Sequence, residues 1–321
     1  MDKSNQQDTQ HWAHKKERGS LFGIYFLVYT FKLFGAKLCK VFLIPVLIYF
    51  YLFNRATRNN LIEYLQKVQQ NQKGKNVIIA RQKNVFKIIL NFGFGMIDRL
   101  SSLMGRLPYE SINSINIEKF REMEKNKKGA VLLISHLGNF EICRAASGKR
   151  SNSKFNIVIH NQNSQKINKA FKTFNNDKAI TLVQEKELSL AGIINLKEKI
   201  DNGEYLVIAG DRIPVSNEKG TIECEFLGEK ARFPIGPYVL SKVLACPMIN
   251  IFCLKNGKKY DLFFHYLTDK MVFTRATRLQ NINKALKQYV KNLECHIRQT
   301  PLQWYNFHNF WENQIDKKSD K

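Results

Sequence analysis

The chain is poor in the residues that punctuate a backbone and in negative charge. Only 17 glycines and 7 prolines occur among 321 residues, which excludes collagen-like and Pro/Gly-rich disordered architectures. Acidic residues number 27 against 51 Lys and Arg, a formal net charge of +24. That excess points to an acidic partner, and nucleic acid, anionic lipid headgroups and an acidic carrier protein all qualify. The six cysteines, at 39, 143, 224, 246, 253 and 295, form no CxxC pair. A chain of this length does not depend on disulfide staples, so reduced and mostly buried thiols are expected, and no metal site. His11, His14, His160, His265, His296 and His308 show no ligand spacing and read as core or surface residues. Residues 1–20 are polar and lack the cleavage site of a secretory signal peptide. There is no P-loop, since Gly148-Lys149 is followed by Arg150, and Gly93-Phe94-Gly95 lacks the third glycine of a dinucleotide loop. No cofactor is implied, and no helix-turn-helix, zinc-finger or RNP motif supports a nucleic-acid partner.

What is present is apolar. Hydrophobic residues make up 44% of the chain and aromatics 12%, enough for a packed core. Two apolar runs, 21–31 and 41–53, are separated by a segment carrying Lys32, Lys37 and Lys40. Neither run alone reaches the roughly 20 residues of a spanning helix, and Pro45 is expected to kink the second. Basic residues on both flanks place both on the cytoplasmic side. A shallow helical hairpin, or helices lying in the interface, fits these facts better than a single span; a pair of buried core helices is the alternative.

Residues 54–75 read as a helix and linker, and 76–104 as an amphipathic helix pair with a weak point at Gly93–Gly95. Beyond residue 107 short apolar runs alternate with helical stretches. Strands are expected at 130–135, 155–160, 205–209, 248–254 and 260–266, the last two joined by a hairpin through Asn256-Gly257. Helices are expected at 187–200, 238–244 and 279–298, the last with Leu279, Ile282, Leu286, Tyr289, Val290, Leu293 and Ile297 on one face. The pattern predicts an α/β fold, a mixed sheet flanked by helices, with an N-terminal helical membrane anchor.

The sharpest constellation is Ser135-His136-Leu137-Gly138-Asn139-Phe140-Glu141. It follows a predicted strand, where clefts open in α/β sheets. On one continuous helix, five residues would separate His136 from Glu141 by roughly 140°. The two meet only with His136 on a loop and Glu141 in the first helical turn. Gly138 and Asn139 supply such a loop, with Asn139 as N-cap. An imidazole held by a carboxylate takes a proton from an alcohol and activates it as a nucleophile. A strand-end histidine satisfied by backbone, with Glu141 merely facing a helix dipole, fits the spacing equally well.

The H-x4-E motif and its surroundings resemble those of the bacterial lipid A late acyltransferases, within the lysophospholipid acyltransferase superfamily. Three further segments are similar, in order: Gly210-Asp211-Arg212; Phe226-Leu227-Gly228-Glu229-Lys230-Ala231-Arg232-Phe233-Pro234-Ile235-Gly236-Pro237; and Pro301-Leu302-Gln303-Trp304-Tyr305. The family's better-known members carry other residues at 210–212. The resemblance implies transfer of a fatty acyl chain from an acyl carrier protein thioester to a hydroxyl of a lipid A precursor or related glycolipid. It implies His136 as base and Glu141 as its orienting carboxylate. Asn139, Asp211 and Arg212 would contact substrate, Arg212 at a phosphate or the developing oxyanion. It further implies the bacterial cytoplasmic (inner) membrane, with the catalytic domain facing the cytoplasm. The expected organisation is a polar segment 1–20, an anchor 21–53, a helical connector 54–106, an acyltransferase domain 107–313 and a solvated tail 314–321. A glycerophospholipid acyltransferase is disfavoured because Glu141 replaces the usual Asp and Phe233–Pro237 replaces the F-P-E-G-T block. A basic membrane- or nucleic-acid-binding protein without catalysis is the alternative of another class.

Overall fold

The computed structural model describes residues 21–72, 77–142, 153–159, 179–213 and 220–311. Its centre is a seven-stranded mixed sheet of order β1-β9-β8-β2-β5-β3-β4. The strands are β1 (Ile112–Ile115), β2 (Ala130–Ile134), β3 (Phe155–Ile159), β4 (Ile180–Gln184), β5 (Tyr205–Ala209), β8 (Met248–Asn256) and β9 (Lys259–Thr268). Strands β6 (Thr221–Phe226) and β7 (Glu229–Pro234) form a separate antiparallel hairpin. The central strands pair in parallel, and β9 turns back on β8 through the Asn256-Gly257 hairpin.

Alternation along β2 sorts its side chains between two cores. Val131 and Leu133 join one apolar cluster, Ala130 and Leu132 the other. The first cluster is covered by α5 (Leu190–Asp201), α6 (Gly236–Val243) and α7 (Arg278–Gln299), together with α2 (Arg55–Asn71) and α3 (Gln82–Leu103). On the second face the described covering helix is α4 (Glu118–Lys125), which contributes Phe120 and Met123. Leu279, expected on the buried face of α7, is exposed in the first turn of that helix. The block 226–237, dominated by turn residues to the eye, is largely the β6–β7 hairpin. Its Phe226 and Phe233 are fully buried.

The N-terminal apolar segment is helical from Leu21 to Phe53 (α1), and its one non-helical residue is Gly35, at φ 74°. Pro45 lies inside the helix without breaking it. The break falls at Gly35 because a positive φ is cheap only for glycine. Cys39 Sγ lies 3.6 Å from the Leu27 carbonyl, whereas twelve residues of straight helix would hold them about 18 Å apart. The chain therefore doubles back at Gly35, as the hairpin reading expected. By length and composition, Leu27–Phe53 is long and apolar enough to cross a membrane. The straight arm after the turn is shorter, about 27 Å. Val41, Val46, Leu52 and Phe53 project outward along it.

α3 is one helix through Gly93 and Gly95, not the expected pair. Gly93 serves close packing instead: a Cβ there would sit 2.5 Å from Leu47 Cδ1. The buried carboxylate of Asp98 on the same helix accepts from Lys40 of α1 (2.6 Å), from Lys255 at the end of β8 and from the Tyr260 hydroxyl of β9 (2.6 Å). One carboxylate thus fastens the apolar hairpin to the sheet.

Sequence spacing gave no reason to pair His265 with His296, yet β9 and α7 bring their Nε2 atoms to 2.8 Å. Burial first, and then the neighbouring His265, push His296 down to about 4 from its ordinary 6.5. The unfolded chain therefore binds the extra proton between these values. The contribution of His296 to stability is fully present above pH 6.5 and is lost as pH drops from 6.5 towards 4. Urea unfolding at pH 5 is expected to give a stability about 2 kcal/mol lower than at pH 7 from this group. His296→Leu should flatten the dependence over that window. An unchanged slope in the variant would assign the acid sensitivity elsewhere.

Candidate active site

The register of β2 on β5 builds the site. Ile134 pairs with Ala209, so two residues past each parallel strand His136 and Asp211 stand side by side. Gly210 permits this approach, since a Cβ there would meet Leu133 Cδ1 at 2.8 Å and Tyr289 Cζ at 2.9 Å. The imidazole Nδ1 of His136 lies 2.8 Å from Asp211 Oδ1, and the His136 backbone N–H donates to Oδ2 at 2.7 Å. Trp304 Nε1–H donates to the same Oδ2 at 3.2 Å. Asp211 is almost completely buried. Burial alone would raise its pKa, but the charge and hydrogen bonds of His136, helped by Arg212, outweigh it and hold the carboxyl at about 2. An ionised Asp211 fixes the tautomer: Nδ1 carries the proton and Nε2 is left as the basic nitrogen.

Glu141, expected to orient the imidazole, is engaged elsewhere. It lies in the 3₁₀ turn Phe140–Ile142 and pairs with Arg99 of α3, Nη1 to Oε1 at 2.9 Å. The carboxylate on the imidazole is that of Asp211, from the segment expected to contact substrate. Asn139 does not cap a helix with its side chain; Nδ2 donates to the Gly95 carbonyl of α3 at 2.8 Å. Arg212 is half-buried beside Asp211.

The loop carrying His136 is pinned on two further sides. Gly138 has φ 78° and forms a bridge with Cys253 of β8, whose carbonyl accepts from Asn139 N at 2.8 Å. Gly138 N donates to the Gln303 carbonyl (2.8 Å), and Tyr305 N to the His136 carbonyl (2.9 Å). The residues missed from sequence are Arg99 and Trp304. Trp304 stood in a segment that carries the family resemblance, with no role at the site attached to it.

Below the loop, on the face that α4 covers, lies an apolar cavity with about 490 Å³ of empty space, part of it open to solvent. Phe120, Leu132, Phe155, Ile157, Ile251 and Phe264 line it, and Phe140 and Glu141 connect it to the loop.

No curated protein matches the chain. The family model of the bacterial lipid A biosynthesis acyltransferases matches residues 51–313, from the end of α1 to the last described residues. That span holds His136, Asp211, Trp304 and the cavity, and the chain belongs to the bacterial lipid A biosynthesis acyltransferase family.

Proposed function

We propose that the protein moves a fatty acyl chain from an acyl carrier protein thioester to a hydroxyl of a lipid A precursor or a related glycolipid. His136 Nε2 takes the proton of the acceptor hydroxyl as that oxygen attacks the thioester carbonyl. The carbon–oxygen ester bond forms, the carbon–sulfur bond breaks, and the departing thiolate recovers the proton from His136. Asp211 holds the imidazole and stabilises the imidazolium that forms between these steps. The observation that carries this reading is the contact of a buried, ionised Asp211 with Nδ1 of His136. The cavity beneath the loop suits an acyl chain, since its walls are almost wholly hydrocarbon. In this reading Glu141 and Arg99 stand where the chain enters, Asn139 fixes the loop and Arg212 faces the acceptor's phosphate or the oxyanion. The α1 hairpin holds the site at the cytoplasmic surface of the inner membrane, where a lipid acceptor is within reach.

The test uses the full chain in proteoliposomes with labelled acyl carrier protein and a lipid A precursor. Labelled acyl-lipid is the expected product. A basic excess of this size steers an acidic donor. Raising NaCl from about 50 mM to about 500 mM should therefore lower kcat/KM for the carrier several-fold. A rate indifferent to salt, or a strong preference for acyl-CoA, would overturn the donor assignment.

A further inference from the structure

Three sequence segments, those of His136, Asp211 and Trp304, meet at one carboxylate. Both oxygens of Asp211 are occupied: Oδ1 by the imidazole, and Oδ2 by the His136 backbone N–H and the Trp304 indole N–H. The indole is the one of these donors that lies outside the His136 loop. Its ring is fully buried, tilted against Tyr64 at 4.9 Å and edge-to-face with Phe226 at 5.5 Å and Phe310 at 5.1 Å. Phe226 is presented by the β6–β7 hairpin, and Tyr64 of α2 donates its hydroxyl to the Pro301 carbonyl just upstream, at 2.8 Å. The flanking backbone of Trp304 pairs with the His136 loop through the Leu137–Trp304 bridge and the Tyr305 N–H. An indole so enclosed cannot turn away from Asp211, and a carboxylate so enclosed cannot change rotamer.

We propose that Trp304 is a positioning residue of the acyl transfer: its indole N–H fixes the Asp211 carboxylate in the orientation that holds His136 as a base. This rests on the reading of His136 and Asp211 given above. The N–H takes up part of the negative charge on Oδ2. Without it, Asp211 rotates more freely and attracts a proton to the imidazole more strongly, so the base is neutral over a narrower range of pH.

The experiment compares Trp304→Phe with the full enzyme in proteoliposomes. Because the ring is buried and phenylalanine leaves space, a second variant carries benzothienylalanine at position 304, which keeps the bicyclic shape and replaces N–H by sulfur. In both, kcat is expected to fall about 10- to 100-fold, the loss of one hydrogen bond to a buried charge. KM for the acceptor should stay within about twofold, the signature of an interaction that matters in the transition state. The acid limb of the kcat–pH profile should move upward by about half a pH unit or more. Phe226→Leu disturbs the same packing without touching the N–H, and should leave the acid limb in place. A benzothienylalanine enzyme with parental kcat overturns the proposal. So does an acid limb that shifts equally in Phe226→Leu, or in neither variant. Asp211→Asn separates the two levels: parental activity there would overturn the His136–Asp211 reading itself, whatever Trp304 does.

Discussion

A folded His136→Ala protein is expected to show no acyl transfer above background, and Asp211→Asn to lose on the order of 1,000- to 10,000-fold in kcat. The two losses have different origins. His136→Ala removes the proposed general base itself. Asp211→Asn keeps the shape but exchanges an acceptor for an amide, whose NH₂ can face Nδ1 and force the proton onto Nε2, the nitrogen that must be basic. The charge that stabilises the imidazolium goes with it. Glu141→Gln should cost less, because its carboxylate is paired with Arg99 and not with the imidazole. Thermal unfolding of each variant beside single-turnover transfer checks that the loss is chemical. If Glu141→Gln were the more damaging change in a folded protein, the base would be organised by Glu141 after all.

Gly138→Ala is expected to be damaging for a purely steric reason. Gly138 has φ 78°, and an added Cβ would lie 2.0 Å from the Cys253 carbonyl oxygen and 2.8 Å from its carbon. Both are backbone atoms of a central strand and cannot yield. The loop must leave β8, giving up the Asn139 N–H bond to Cys253 and the Gly138 N–H bond to Gln303. A displacement of about 1 Å at the proposed base is enough to cost on the order of 100-fold, and stability should fall by about 2 kcal/mol or more. Gly236→Ala is the control, since nothing lies within 4 Å of its Cβ position. Parental turnover in Gly138→Ala would mean that the loop is not held against Cys253 during the reaction.

The sequence made some of this legible and concealed the rest for physical reasons. His136 was visible because strand, loop and motif coincide within a dozen residues. Its partner was not, because Asp211 is 75 residues away and only the β2–β5 register brings it alongside. Glu141 was the nearer carboxylate along the chain, and nearness along the chain is a poor guide past the end of a strand. The hairpin in α1 was readable from two apolar runs with lysines between them, but Pro45 drew attention from Gly35, which makes the turn. The β6–β7 pair was hidden by Gly228, Pro234 and Pro237, although Ile222, Cys224 and Phe226 alternate with glutamates as a half-buried strand should. The strands β2, β3, β5, β8 and β9 were found because each is a mainly apolar run bounded by turn residues, even where Asn156, Asn250, Asp261 or His265 interrupts it. Short β1, Ile-Asn-Ser-Ile, offers no such contrast.

Asp98 gives the anchor a second meaning. It grips Lys40 of the apolar hairpin and Lys255 of β8. Lys255 is in turn bracketed by Gln303, which receives its N–H and donates to its carbonyl, both at 2.8 Å. The next residue is Trp304. From hairpin to the His136 loop the linkage is therefore stiff and only a few side chains long. With α1 seated in a bilayer, His136 stands at a set depth like a blade in a plane, not like a hook on a line. Under the proposed function, acceptor hydroxyls would then be selected by their height above the glycerol–hydrocarbon boundary as well as by their chemistry.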